Sequence, residues 1–383
     1  VENRYDYLNL NTCRFLWKQV KFPLAADASN AAVQVLKEGE VQGSDVAAHS
    51  AGVLDIRTNI LADTDALYLT AIDKYGHELW RWTFPVEKLN QQSEPISFLS
   101  IRPTYTETEN DLIVKANKRT FIFSKKDGQL KGVSVDNRKI SFANGPRFIG
   151  ARRADRSLDQ FYNHDDEKAK EKDRTYSEFP DAAVFTKLDV KQDGGDLIVT
   201  ANYKLGNLDK AQWTINPSGD LALDYTYNFS GVVDLMGIRF DYPEDQVISK
   251  RWLGAGPYRV WQNRIHGTQY DVWENDYNDP IPGETFTYPE FKGYFGDVSW
   301  MNIQTKEGTI SLTNETPDTY IGVYQPRDGR DRLLYTLPES GISVLNVIPP
   351  VRNKVNSTDL CGPSSQPKWV NGPQTGRVIF RFM

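Results

Sequence analysis

The sequence predicts an all-β protein, and three observations carry that prediction. Short runs alternate apolar and polar residues, turn-forming residues separate them, and amphipathic helical stripes are few. In "DLALDYTYNFS", Leu221, Leu223, Tyr225, Tyr227 and Phe229 alternate with Ala222, Asp224, Thr226, Asn228 and Ser230. A period of two gives one buried and one solvated face. "GRVIFRF" repeats the pattern with Val378, Phe380 and Phe382 against Arg377 and Arg381. "LYLTAI", "TFIFS", "LIVTANY", "TISLTN" and "YIGVYQ" are further short strands rich in β-branched and aromatic residues. Asp127-Gly128, Asp193-Gly194-Gly195, Pro217-Ser218-Gly219 and Glu307-Gly308 supply the turns. Sandwiches are expected, not a parallel α/β sheet.

A chain of 383 residues can bury more than one core. A break falls near residues 91–111, where Pro, Ser, Thr and acidic residues interrupt the apolar pattern. This sets an expected first domain at 1–100, the size of one immunoglobulin-like sandwich, and a larger β-domain at 101–383. The charged run "NHDDEKAKEKDR", residues 163–174, has no apolar face and reads as a solvated loop.

Composition excludes some functions. The net charge is −6 with dispersed basic residues, which gives no electrostatic footprint for nucleic acid. No apolar run approaches the roughly 20 residues of a membrane span, so a soluble chain is expected. Cys13 and Cys361 show no metal spacing and are either free thiols or one long-range bridge, which leaves the compartment open. The chain starts at Val1 with no apolar leader, so a processed chain or a piece of a longer one is expected. Twelve per cent of residues are aromatic, including nine Trp and nineteen Tyr. Such side chains fill β-cores and also stack on sugar rings.

"RWLGAGPYRVWQNR", residues 251–264, superficially offers a glycine-rich phosphate loop at Gly254-Ala255-Gly256. Pro257 follows the second glycine and the third glycine of G-x-G-x-x-G is missing, so the nucleotide reading fails.

These residues belong to an ordered set that resembles a known family. Val1, Asn3, Tyr5 and Trp17 in "VENRYDYLNLNTCRFLWK" resemble the opening of the immunoglobulin-like domain of large β-galactosidases, glycoside hydrolase family two. "ALYLTAIDKYGHELWRWTFPV" looks like that domain's closing strands, and "KRTFIFSKKDGQLKGVSVDNRKI" like the entry to the terminal, galactose-mutarotase-like β-sandwich. "GIRFDYPEDQVISKRWLGAGPYRVWQNR" matches the most recognisable stretch, where the glycines are expected to make a tight corner between strands. The chain departs from the family's Arg-Ala-Pro-x-Asp-Asn-Asp segment, for which Pro146, Arg147 and Asp155 are loose counterparts. It keeps Pro289, Glu290 and Gly293 of a later element but has Tyr294 in place of a basic residue.

The resemblance implies an immunoglobulin-like β-sandwich followed by a mutarotase-like supersandwich. It implies the C-terminal, non-catalytic portion of a glycoside hydrolase, with the catalytic barrel of the parent chain and a β-galactoside or related glycan as partners. A periplasmic or secreted parent is one alternative for location. A retaining glycosidase needs two carboxyl groups about 5–5.5 Å apart. In that family both sit on a (β/α)₈ barrel of about 250 residues, and no such stretch exists in this sequence. Asp165, Asp166 and Glu167 are adjacent on a polar loop and do not build opposed catalytic groups. No catalytic residue and no metal ligand is therefore assigned. No cofactor is expected in this chain, and the parents' Mg²⁺ or Na⁺ is expected to be held by barrel residues.

Sugar binding is the reachable function. Trp261 and Trp273 are candidates for stacking, and Arg264 and Glu290 for charge-assisted hydrogen bonds to hydroxyls. His266 is the candidate proton donor, and Asp359 and Trp369 mark the loop from Asn356 to Trp369, where the resemblance places a contribution to the sugar pocket. The competing reading fills the core with Trp261 and Trp273 and gives Arg264 an ion pair. The other classes are a stand-alone carbohydrate-binding module and an aldose epimerase. An epimerase would use a Glu and a His with a second His, and the chain has only His49, His77, His164 and His266.

Overall fold

The computed structural model describes residues 1–26, 31–86, 101–153, 176–276, 293–323, 338–350 and 362–383. Its residues divide into two compact units, Val1–Gln91 with Gln269–Val272, and Gln92–Thr268 with Trp273–Met383. Secondary structure is almost entirely antiparallel strand, as the alternation predicts. Among the described residues, no helix is long and apolar enough to cross a membrane.

In the first unit β1 (Arg14–Lys21), β2 (Gln34–Gln42), β3 (Ala66–Ile72) and β4 (Glu78–Pro85) form one sheet in the order β2-β1-β3-β4. Phe15 and Trp17 of β1 and Leu69 and Ala71 of β3 share a face and pack with Leu10, Cys13 and Val46. Trp17 lies across Gly39 of β2, where a Cβ would come within 2.4 Å of the indole. Asn3, 1% exposed, shows why an asparagine stands there. Its amide donates to Leu8 O (2.8 Å) and Val46 O (2.9 Å) and its oxygen accepts from Tyr5 N (3.0 Å). One side chain thereby ties the opening segment to the loop that covers the sheet. Cys13 is a buried free thiol, and Cys361 lies outside the described residues.

The second unit stacks two large antiparallel sheets. The eleven-stranded one is centred on Ile342–Val347, Leu235–Asp241, Ala143–Arg153 and Leu130–Val135. The nine-stranded one is centred on Leu208–Ile215, Leu221–Val233, Lys368–Phe382 and Gly308–Asn314. The predicted alternation of 221–230 is realised: Leu221, Leu223, Tyr225, Tyr227 and Phe229 enter the shared core. Phe142, Phe148 and Phe240 meet them and the C-terminal strand, with ring centroids 5.0 Å apart for Phe142–Phe380 and 5.5 Å for Phe148–Tyr227. The turn glycines Gly128, Gly194 and Gly219 have φ of 74°, 58° and 83°, the left-handed conformation that hairpin turns require.

The expected glycine corner is not one. Gly254 and Gly256 lie inside the strand Val247–Gly256, and the chain bends only after the cis Gly256-Pro257 bond. A Cβ on Gly256 would sit 2.4 Å from the Trp273 indole. Gly256 admits a ring against the backbone, and Gly254 admits the backbone of residues 296–298, where a Cβ would come 3.0 Å from Gly296 O; neither turns the chain.

Candidate functional site

Strand alternation puts a second surface on the eleven-stranded sheet. Phe148, Ile238, Phe240 and Val344 face the shared core, so their neighbours in sequence face the other way. Register lines those neighbours into two rows. Ile149, Gly237 and Leu345 form an apolar row; Arg147, Arg239 and Ser343 form a polar one. Both rows run across three strands.

The apolar row is capped. Val260, Trp261, Tyr294 and Ile348 pack onto Ile149, Ala151, Leu235 and Leu345. Trp261 and Tyr294 meet edge to face with centroids 5.7 Å apart, a favoured aromatic geometry. The paired backbones of Val260 and Tyr294, with two 2.7 Å hydrogen bonds, hold the cap together. Burial pushes the Tyr294 phenol up, which keeps it neutral.

The polar row is charged and leads outward. Arg147 donates through Nε to Asn144 O (2.8 Å) and pairs through Nη2 with Asp241, which also accepts from Asn144 (2.9 Å). Arg239 donates through Nη1 to Glu339 O (2.5 Å). Burial, and then the like charge of Arg147, draws the Arg239 guanidinium down, against the attraction of Asp241, Glu178 and Asp181. Among the described residues the buried Nε of Arg239 and the buried Oγ of Ser343 have no hydrogen-bond partner. Each such atom costs about 1–3 kcal/mol. Arg147 and Asp241 keep partly accessible side chains and open the row to solvent. Chemically the row offers donors and acceptors to a hydroxylated ligand.

Of the residues singled out in the sequence, Trp261, Arg264 and His266 lie on one turn, whose Gln262 and Asn263 side chains donate to Gln366 O (2.7 Å) and Ser365 Oγ (3.3 Å) in the segment that leads to Trp369. Trp261 is 1% exposed and belongs to the cap itself, packed edge to face with Tyr294 on the sheet. Trp273 is half-buried against Gly256, with Nε1 donating to Gly254 O at 3.2 Å. Arg264 is half-buried in a tight turn, where its N–H donates to Trp261 O at 2.8 Å. His266 is exposed, and its carbonyl accepts from Tyr258 Oη at 3.1 Å. Trp369 is 71% exposed on the nine-stranded sheet, opposite Val232. Glu290 and Asp359 lie outside the described residues, as do Asp155, His164, Pro289 and Asp165 to Glu167.

Arg147 was legible as a loose family counterpart; Arg239 and Ser343 were missed. The alternation in "GIRFDYP" already puts Arg239 on the face opposite Ile238 and Phe240. The signal was local, but its meaning depends on strands nearly a hundred residues away. No group of three or more His, Cys, Asp or Glu gathers to hold a metal among the described residues.

The family model described as beta galactosidase small chain matches residues 115–347. Among solved structures, a galactose 1-epimerase from Lactobacillus acidophilus NCFM shares 9% identity over 74% of this chain and 99% of its own, with a TM-score of 0.42. A GalM/aldose epimerase homologue from C. elegans shares 8% over 73% of this chain and 99% of its own, with a TM-score of 0.33. No curated protein sequence matches the chain.

Proposed function

The chain belongs to the beta galactosidase small chain family, and from that premise we propose that it is the C-terminal, non-catalytic portion of a β-galactosidase-like glycoside hydrolase. In this reading it supports the catalytic barrel and helps bind the glycan, while the barrel supplies the two carboxyl groups of hydrolysis and any Mg²⁺ or Na⁺. The observation that carries the binding role is the row Arg147–Arg239–Ser343. Arg239 Nε has a proton to donate and Ser343 Oγ can donate or accept. Sugar hydroxyls supply both complements, and the charge on the arginines strengthens their bonds.

Nuclear magnetic resonance titration with galactose and with lactose tests this. Saturable shifts at millimolar sugar are expected, weakened at least fivefold in Arg239→Ala, with an unchanged melting temperature. Absence of saturable binding, or binding indifferent to Arg239→Ala, overturns the site. Hydrolysis of a nitrophenyl β-galactoside by this chain alone overturns the non-catalytic role. Polarimetry with fresh α-galactose tests the epimerase alternative: acceleration lost in His266→Ala would replace the reading. Immunoblotting of the native source should reveal a polypeptide far heavier than 43.6 kDa.

A further inference from the structure

The sheet of the first unit carries an aromatic row with no function in the reading above. In β4 the side chains of Trp80, Trp82 and Phe84 alternate with Arg81 and Thr83, so the three rings share one face, successive ones about 7 Å apart along the strand. Register puts Trp80 opposite Ala71, Trp82 opposite Leu69 and Phe84 opposite Leu67. The row thus continues the apolar face that β1 and β3 bury. Leu69 and Ala71 are 6% and 4% exposed, whereas the three rings are 39–48% exposed. The cover stops one strand short.

Between this row and the opening segment of the chain lies a groove of about 890 Å³, also lined by Phe15, Glu2 and Arg4. We propose that this groove is a second carbohydrate site, one that binds a neutral oligosaccharide chain lengthwise along β4.

Three features select that occupant. First, along β4 the groove exposes Trp80, Trp82 and Phe84, flat rings that can take the apolar face of one sugar ring after another, whereas Leu10, Leu69 and Ala71 of its lining are buried and its exposed aliphatic surface is that of Val1 and Leu79. Second, the charged side chains that line it cancel: Arg4 Nη2 and Glu2 Oε2 stand 3.0 Å apart, exposed. The groove complements a ligand without charge and offers it a donor and an acceptor. Third, its volume is at the upper end of small-ligand sites, which fits several sugar units better than one. The groove lies wholly in the first unit, so it is independent of the arginine row.

Affinity electrophoresis in gels containing β-1,4-galactan or hydroxyethylcellulose tests the proposal. Retardation of the whole chain on at least one glycan is expected. It should fall at least fivefold in Trp80→Ala/Trp82→Ala, while the galactose shifts at the arginine row persist in that variant, which separates the two sites. Trp82→Leu keeps apolar area and removes the flat ring, so it too should lose retardation. Retained retardation in Trp82→Leu overturns stacking. Absence of retardation on both glycans overturns the site. So does sedimentation showing a dimer, without glycan, that Trp82→Leu dissolves, because a second copy would then be the occupant.

Discussion

Two aromatic groups of this molecule look alike in sequence and differ in fate. Trp261 and Tyr294 form part of the cap on the eleven-stranded sheet, 1% exposed each. Trp80, Trp82 and Phe84 extend an apolar face whose cover ends before it reaches them. The residue type does not separate them. The number of layers above the sheet does. A tryptophan beside glycines and an Asn-Arg pair can read as a sugar platform, yet it is a plug where a loop folds back over the sheet.

The largest expected effect falls on the closed side. Trp261→Ala should destabilise the second unit by about 3–5 kcal/mol, the cost of emptying a buried indole site, measured by denaturant unfolding. A loss below about 1 kcal/mol would show that the ring is not a core element. Gly256→Ala comes next. Its Cβ would meet the Trp273 indole at 2.4 Å, so about 1–3 kcal/mol of overpacking is expected, and Gly256→Ala/Trp273→Ala should recover part of it. In the first unit, Asn3→Ala removes the bonds to Leu8 O and Val46 O and the one from Tyr5 N, while Val46 O keeps its bond from Leu10 N at 3.1 Å. About 1–3 kcal/mol should go, with faster hydrogen exchange in the opening segment. A stable Asn3→Ala would mean the covering loop is held by apolar contacts alone.

Acid separates the regions more weakly. Burial alone would raise the Asp220 carboxyl, but the Arg381 guanidinium, bonded at 2.8 and 3.0 Å, outweighs it with help from Asn216 and Arg119 and holds it below its ordinary value. A depressed carboxylate contributes stability that is complete above its unfolded pKa, near 3.9, and is lost as pH falls through the lower folded value. Asp220→Asn should flatten the acid limb of the second unit's stability below about pH 4. An unchanged limb would remove the pair from the account. The smallest effect is on the open side: Trp82→Ala should change stability by no more than about 0.5 kcal/mol. A larger loss would show that the row is structural.

Much of the fold was legible because its signals are local. The alternation in "DLALDYTYNFS" and "GRVIFRF" predicts which residues enter the core, and Leu223, Tyr225, Tyr227, Val378 and Phe380 are there. The site was legible only in part. Arg147, Arg239 and Ser343 become neighbours through register between strands far apart in the chain, and no short window contains that information. Gly254 and Gly256 illustrate the same limit. A glycine pair before a proline reads as a turn, whereas Gly256 makes room for Trp273, a side chain from the following strand, and Gly254 for the backbone of residues 296–298. Local pattern reports which way a side chain faces. What lies above it is decided elsewhere.

The position of the strand Lys368–Phe382 bears on when the second unit can form. It lies in the interior of the nine-stranded sheet, paired along thirteen positions with Leu221–Val233 on one side and with Gly308–Asn314 on the other. Until residues 368–382 emerge from the ribosome, both neighbours expose an unpaired edge, the kind of surface through which chains aggregate. Contacts this distant in sequence also make for slow folding. The nascent chain therefore carries this open edge from the emergence of Leu221–Val233 until residues 368–382 follow, and a truncation before Lys368 would open the sheet in the middle instead of trimming its rim.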